Sequence, residues 1–184
     1  KPCNTSHRGK FGMSSSEHLV LDTVYQGDCL EILPTFPAQS VDMIFADPPY
    51  NLQLEKELFR PNLTPVSAVD DEWDRFNSFE DYDTFTHDWL AAARRVMKDT
   101  ASIWVSGTYH NIFRVGAIMQ DLGFWLLNTI TWHRPNAMPN FRGTRFKNDV
   151  EFIIWAKRSK DTTYTFNYHT MKQFNDGKQL GSVW

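Results

Sequence analysis

Apolar and polar positions follow two different periods along this chain, and the changes of period mark out its elements. Val41 and Met43 to Ala46 form a short apolar run, the pattern of a buried strand. Between residues 79 and 98, Tyr82, Phe85, Trp89, Ala92, Ala93, Val96 and Met97 recur at spacings of three and four, which predicts an amphipathic helix. Ser78 suits its N-cap, Asp81 completes a capping-box-like start, and Arg94, Arg95 and Lys98 suit its carboxyl end. Residues 101–106 predict the next strand. Residues 111–122 predict a second helix ended by Gly123, and 124–132 and 150–157 two more strands. Shorter signals place a strand at 23–26, a helix at 29–33 capped by Asp28, a last strand at 163–168 and helix after it. Strands alternating with helices predict an α/β fold built on a parallel sheet.

Two stretches carry no period. Residues 1–16 are polar, begin at Lys1 and have their first Met at Met13, so they are expected to be a disordered or non-native tail. Residues 51–78 are broken by Pro61 and Pro65 and made acidic by Asp70, Asp71, Glu72 and Asp74. A loop of that length inside a domain is expected to be mobile or functional. The remainder, 17–184, is read as one domain, since 184 residues suffice for a single core. The net charge of −3 excludes a global basic footprint, so any nucleic-acid contact must come from a local patch. Cys3 and Cys29 match no zinc or disulfide spacing, which points to a reducing cytoplasm and no metal. No apolar run approaches a membrane span.

The chemistry concentrates where the 41–46 strand stops, at Asp47-Pro48-Pro49-Tyr50. The prolines lack N–H donors and fix φ, so the piece cannot join a ladder. An acid, two stiff residues and an aromatic are thus held at a strand's carboxyl end, where open α/β sheets bind ligands. The Asp47 carboxylate and the Pro48 carbonyl suit the two hydrogens of an exocyclic amino group, and Tyr50 offers a face on which a flat base can stack. A second candidate lies at 133–148. No acid occurs from Asn128 to Asn148, while Arg134, Arg142, Arg145 and Lys147 supply charge and Asn136, Asn140 and Phe141 supply base-edge or stacking groups. His110, in the loop after the 101–106 strand, is expected to be a polar loop residue or DNA contact rather than a base, and Asn51 joins the DNA-facing set.

Asp47-Pro48-Pro49-Tyr50 resembles the catalytic motif of the amino-group DNA methyltransferases, which methylate adenine N6 or cytosine N4. The runs 45–54, 107–116 and 139–146 resemble more closely the cell-cycle-regulated adenine methyltransferases of alphaproteobacteria, which modify GANTC sites. The resemblance runs from about Thr23 to the C-terminus. It implies a Rossmann-like, S-adenosylmethionine-dependent methyltransferase fold in circularly permuted motif order, acting on double-stranded DNA in a bacterial nucleoid. It further implies Asp47, Pro48, Pro49 and Tyr50 as catalytic, and Asp28, Cys29 and Asp47 as donor-binding. The 133–148 loop would lie beside a flipped adenine, and a homodimer is one expectation for the full-length protein. The family's Gly-rich donor turn has no counterpart here, for none of the nine glycines forms Gly-x-Gly. The chain is therefore expected to be the N-terminal part of such an enzyme, incomplete at its C-terminus and inactive alone. Two alternatives stay open: a cytosine-N4 enzyme, although those more often carry Ser at the position of Asp47, and a non-catalytic nucleic-acid-binding fragment.

Overall fold

The computed structural model describes residues 19–52, 74–140 and 142–184. The expectations for 1–16 and for most of the 51–78 loop fall outside the described residues. In chain order the elements are α1 (Cys29–Ile32) with a 3-10 turn (Leu33–Thr35), β1 (Val41–Ala46), α2 (Phe79–Val96), β2 (Met97–Gly107), α3 (Ile112–Asp121), β3 (Trp125–His133), β4 (Val150–Lys157) and α4 (Tyr168–Gln173).

Local chemistry explains most of these bounds. The Asp28 carboxylate accepts the Leu30 N–H at 2.8 Å and starts α1. The Ser78 hydroxyl accepts the Asp81 N–H at 3.0 Å and starts α2. At its far end Arg95 donates to the carbonyls of Leu33, Pro34 and Phe36 at 2.8, 3.2 and 2.7 Å, tying the 3-10 turn to α2. Gly123 takes φ +81°, a conformation that costs glycine little and ends the α3 turn. The helix expected through Lys98 stops at Val96 instead. Met97 turns extended and pairs with Val41, so tertiary pairing takes the last residues of the helical period for β2.

The sheet has the order β1-β2-β4-β3. β1 pairs with β2 in parallel, while β4 pairs antiparallel with both β2 and β3. β1, β2 and β3 therefore share one direction and β4 runs against them. This corrects the expectation of an all-parallel sheet. The described residues from β3 to β4 contain no helix, and the chain reverses as a long hairpin that inserts β4 between β2 and β3. Two expected strands are also absent. Residues 23–26 and 163–167 have no ladder partner among the described residues, Tyr168 already opens α4, and Val24 is 94% exposed.

The main core lies between the sheet and α2 and α3. Leu90, Ala93 and Met97 meet Ile103, Val105, Val115, Met119, Ile154 and Ala156. Alternation along the strands sends Trp104, Ile130, Ile153 and Trp155 to the other face. There the chain between β4 and Trp184 lays Tyr164 and Phe166 on Trp155, and Trp184 on Trp104. On the same face of β1, Met43 and Phe45 are 60% and 59% exposed. This topology brings the carboxyl ends of β1, β2 and β3 and the amino end of β4 to one edge, where Gly107 is paired with Phe152 and His133 with Val150.

Candidate active site

Asp47 follows directly on β1 at that edge, with its side chain exposed. Register places Ala46 beside Val105, so the next residue of β2, Ser106, reaches across. Its hydroxyl donates to Asp47 Oδ1 at 2.5 Å and its Oγ lies 3.2 Å from the Ala46 carbonyl. The Tyr50 hydroxyl donates to the same Oδ1 at 2.7 Å. Each described hydrogen bond to Asp47 thus falls on one oxygen, and Oδ2 keeps its accepting capacity. Burial above all, with the nearby Asp47 and Glu151 carboxylates adding, pushes the Tyr50 hydroxyl up to about 12 against the opposing bond with Ser106. Tyr50 is therefore a neutral phenol, able to donate, throughout the working pH range.

The two prolines differ. The Pro49 carbonyl accepts the Tyr82 hydroxyl at 3.0 Å. The Pro48 carbonyl has no donor among the described residues. One carbonyl of the motif is committed to the scaffold and the other is open. Beyond Tyr50 the chain turns inward. Asn51 takes φ +51° and its N–H donates to Asp74 Oδ1 at 2.8 Å. Asn51, expected on the DNA-facing surface, is only 3% exposed, with its left-handed backbone anchored to Asp74.

Of the other expected residues, the structure brings some to this edge and leaves others apart. His110 sits at the β2 end, its Nδ1 3.2 Å from Thr108 Oγ1 and its ring against Tyr109. Burial and the positive charge of Arg145 hold its pKa below the usual value, so the ring is neutral at pH 7 and adds no charge toward a phosphate. Arg145 donates to the Tyr109 hydroxyl at 3.1 Å. Arg134 is paired with Glu151 at 2.8 Å, and Lys147 with Asp149 at 3.3 Å. Lys147, first, and His133 hold the Asp149 carboxyl below its usual range. The acid-free loop is thus partly neutralised by the two acids just beyond it. Arg142 and Asn136 are exposed, and Asn140 uses its side chain to receive the Thr144 N–H at 3.3 Å. Asp28 and Cys29 are both exposed, and among the described residues no hydrogen bond or ion pair joins either to Asp47. Burial, with the Asp28 charge, raises the Cys29 thiol, which keeps it protonated.

Sequence reasoning missed Ser106, Tyr82, Asn111 and Glu151. A Ser at the end of the strand following the motif is a weak signal. Tyr82 reads in the helical period as core alone.

A cavity of about 420 Å³ lies on the other face of the sheet, lined by Trp104, Trp155, Tyr164, Phe166 and Trp184, and includes none of the expected site residues. A shallower hollow of about 370 Å³ is formed by residues 132–137 and includes Arg134 and Asn136. Among the described residues no His, Cys, Asp and Glu cluster is arranged to hold a metal, and no helix is long and apolar enough to cross a membrane.

Residues 41–183 match the family model described as DNA methylase. The chain is 51% identical over 164 residues to the Type II methyltransferase M.HinfI of Haemophilus influenzae, covering 89% of this chain and 46% of that protein. It is 41% identical over 161 residues to the Type II methyltransferase M2.MboI of Moraxella bovis, covering 88% and 59%. The chain spans about half the length of these curated relatives. Among solved structures it is similar to the cytosine-N4-specific PvuII DNA methyltransferase, with TM-score 0.62 and 21% identity over 87% of this chain and 55% of that one. It is also similar to the Thermus thermophilus DNA modification methylase TTHA0409 complexed with S-adenosyl-L-methionine, with TM-score 0.53 and 17% identity over 86% and 63%. At these identities the likeness is one of fold: a Rossmann-like methyltransferase architecture.

Proposed function

Given that the chain belongs to the DNA methylase family, we propose that the complete protein methylates adenine at N6, within GANTC, and that the edge around Asp47 receives the flipped-out base. The observation that carries this reading is the division of labour at the motif. Among the described residues Asp47 Oδ2 and the Pro48 carbonyl receive no donor, while Oδ1 and the Pro49 carbonyl are taken by Tyr50, Ser106 and Tyr82. Two acceptors that do not bond each other are what an amino group with two hydrogens requires. Held through both hydrogens, the nitrogen keeps its lone pair out of the base plane, free of those bonds and available to an electrophile. Positioning of this kind, more than a strong base, is the main contribution, since the surplus proton of a methylated amine passes readily to water. The likeness of 45–54, 107–116 and 139–146 to the GANTC-modifying adenine enzymes supports adenine over cytosine.

S-adenosylmethionine, when bound, supplies an electrophilic methyl carbon. The residues present fit it in chemical kind: Asp28 engages one carboxylate oxygen in capping α1 and leaves the second exposed, able to accept from hydroxyl or ammonium groups, as Asp47 Oδ2 also is. Double-stranded DNA is the proposed partner. Arg142 and Arg145 are the loop cations without a carboxylate partner among the described residues, which favours them over Arg134 and Lys147 as phosphate contacts.

The test is transfer of tritiated methyl from S-adenosylmethionine to GANTC duplexes by the complete protein. Label recovered as N6-methyladenine is expected. Label in N4-methylcytosine selects the cytosine reading, and DNA binding without transfer selects a non-catalytic module. Tyr50→Ala should weaken the flipped state roughly ten- to a hundredfold, because base–aromatic stacking is worth about 1–3 kcal/mol. Tyr50→Trp, which keeps a π-face, should be tolerated better. Fluorescence of 2-aminopurine at the target position reads both, and an alanine variant that flips the base as well as the parent removes Tyr50 from this role. Arg142→Gln and Arg145→Gln should each weaken binding to every sequence and flatten the salt dependence by about one unit. Affinity titrations across a salt series check this, and unchanged slopes would make the loop a solvated surface.

A further inference from the structure

Behind the motif lies a buried polar chain that the expected chemistry leaves unused. Tyr82, on the first turn of α2, is 1% exposed, and its hydroxyl donates to the Pro49 carbonyl at 3.0 Å. The same oxygen accepts from Asn111 Nδ2 at 3.1 Å. Asn111, also 1% exposed, accepts the Thr108 N–H on its Oδ1 at 2.9 Å. A phenol has one proton. Asn111 offers it a donor, so that proton is committed to Pro49. Gly107 makes the arrangement possible: a Cβ there would stand 2.7 Å from Asn111 Oδ1.

Backbone stiffness gives this chain its consequence. Both prolines have φ set by their rings, and Pro48, preceding a proline, is confined to extended ψ. The torsion left free is ψ of Pro49, which aims its carbonyl and sets where Tyr50 begins. The Tyr82 bond holds that torsion. We propose that Tyr82 and Asn111, seated against Gly107, form a positioning relay that fixes the angle at which Asp47, Pro48 and Tyr50 meet the base, and that couples this angle to the 108–110 loop. The relay deepens the proposed function and rests on it. Neither residue touches the base, so both are positioning residues. Burial raises the Tyr82 pKa, which keeps the donor protonated.

Tyr82→Phe deletes one oxygen from a buried ring, and Gly107→Ala displaces Asn111 without touching Tyr82. In the complete protein, each folded variant should lower kcat for methyl transfer by about tenfold while KM for DNA stays at the parental value, the scale of one lost hydrogen bond. Urea unfolding run in parallel establishes that the variants are folded under assay conditions, and if one is not, the other decides. Either folded variant retaining parental kcat overturns the relay, including a Tyr82→Phe protein that loses stability alone. A rise in KM with kcat unchanged also overturns it, because that is a loss of binding rather than of alignment. The parent is the control that separates the two levels: a parent that transfers no methyl to DNA removes the proposed function and the relay together, whereas an active parent with equally active variants removes the relay only.

Discussion

Asp47→Ala in the complete protein is expected to lower kcat for methyl transfer on the order of 10³-fold or more while leaving DNA affinity close to parental. The substitution removes the proposed acceptor for the amino group and also the atom to which Tyr50 and Ser106 donate, at 2.7 and 2.5 Å. The base would then lose both its grip and the restraint on its stacking partner. Affinity should survive because a carboxylate contributes nothing attractive to phosphate, and the cations of the 133–148 loop are untouched. Stability should change little, since Asp47 is exposed and its loss opens no cavity. Ser106→Ala removes the 2.5 Å bond to Asp47, with the longer contacts of its Oγ to the Ala46 carbonyl and the Tyr50 hydroxyl, and should fall between parent and Asp47→Ala. Single-turnover transfer on GANTC duplexes, with filter-binding affinities alongside, measures both quantities. Substantial turnover by the alanine variant would take Asp47 out of the reaction.

The largest effect on stability is expected at Leu90. It lies in the middle of α2, is 0% exposed, and belongs to the cluster that seats this helix on β2 and α3. Leu90→Ala should destabilise by ~2–5 kcal/mol, combining lost burial with the cavity left behind. In urea this appears as a lower midpoint with an unchanged slope. Below the new unfolding temperature kcat should remain near parental, because Leu90 faces the sheet and not the edge that carries the motif. The two variants are therefore mirror images: Asp47→Ala separates chemistry from folding, and Leu90→Ala separates folding from chemistry. A Leu90→Ala protein with parental stability would show that α2 is not seated as described.

The sequence by itself determined those features whose causes lie within a few residues. The apolar run of β1, the period and Ser78 cap of α2, the Asp28 cap of α1 and the Gly123 stop are each set by neighbours in the chain. The motif is legible for the same reason, since Asp47, Pro48, Pro49 and Tyr50 are covalent neighbours after a strand. What only the tertiary structure decided depends on partners that local pattern cannot name. A strand exists through its ladder, so 23–26 and 163–167 do not become strands, Tyr168 joins a helix instead, and β4 enters antiparallel because it pairs with β2 and β3. Charge on the 133–148 loop looked free, yet Asp149 pairs with Lys147 two residues away, and Glu151 neutralises Arg134 once the chain reverses. Asn51 looked like a surface residue and is buried by a left-handed turn. Tyr82 carried a core period and turned out to hold the Pro49 carbonyl. Ser106 meets Asp47 only because the parallel register sets Val105 beside Ala46, a contact between residues 59 apart in the chain that no local pattern encodes.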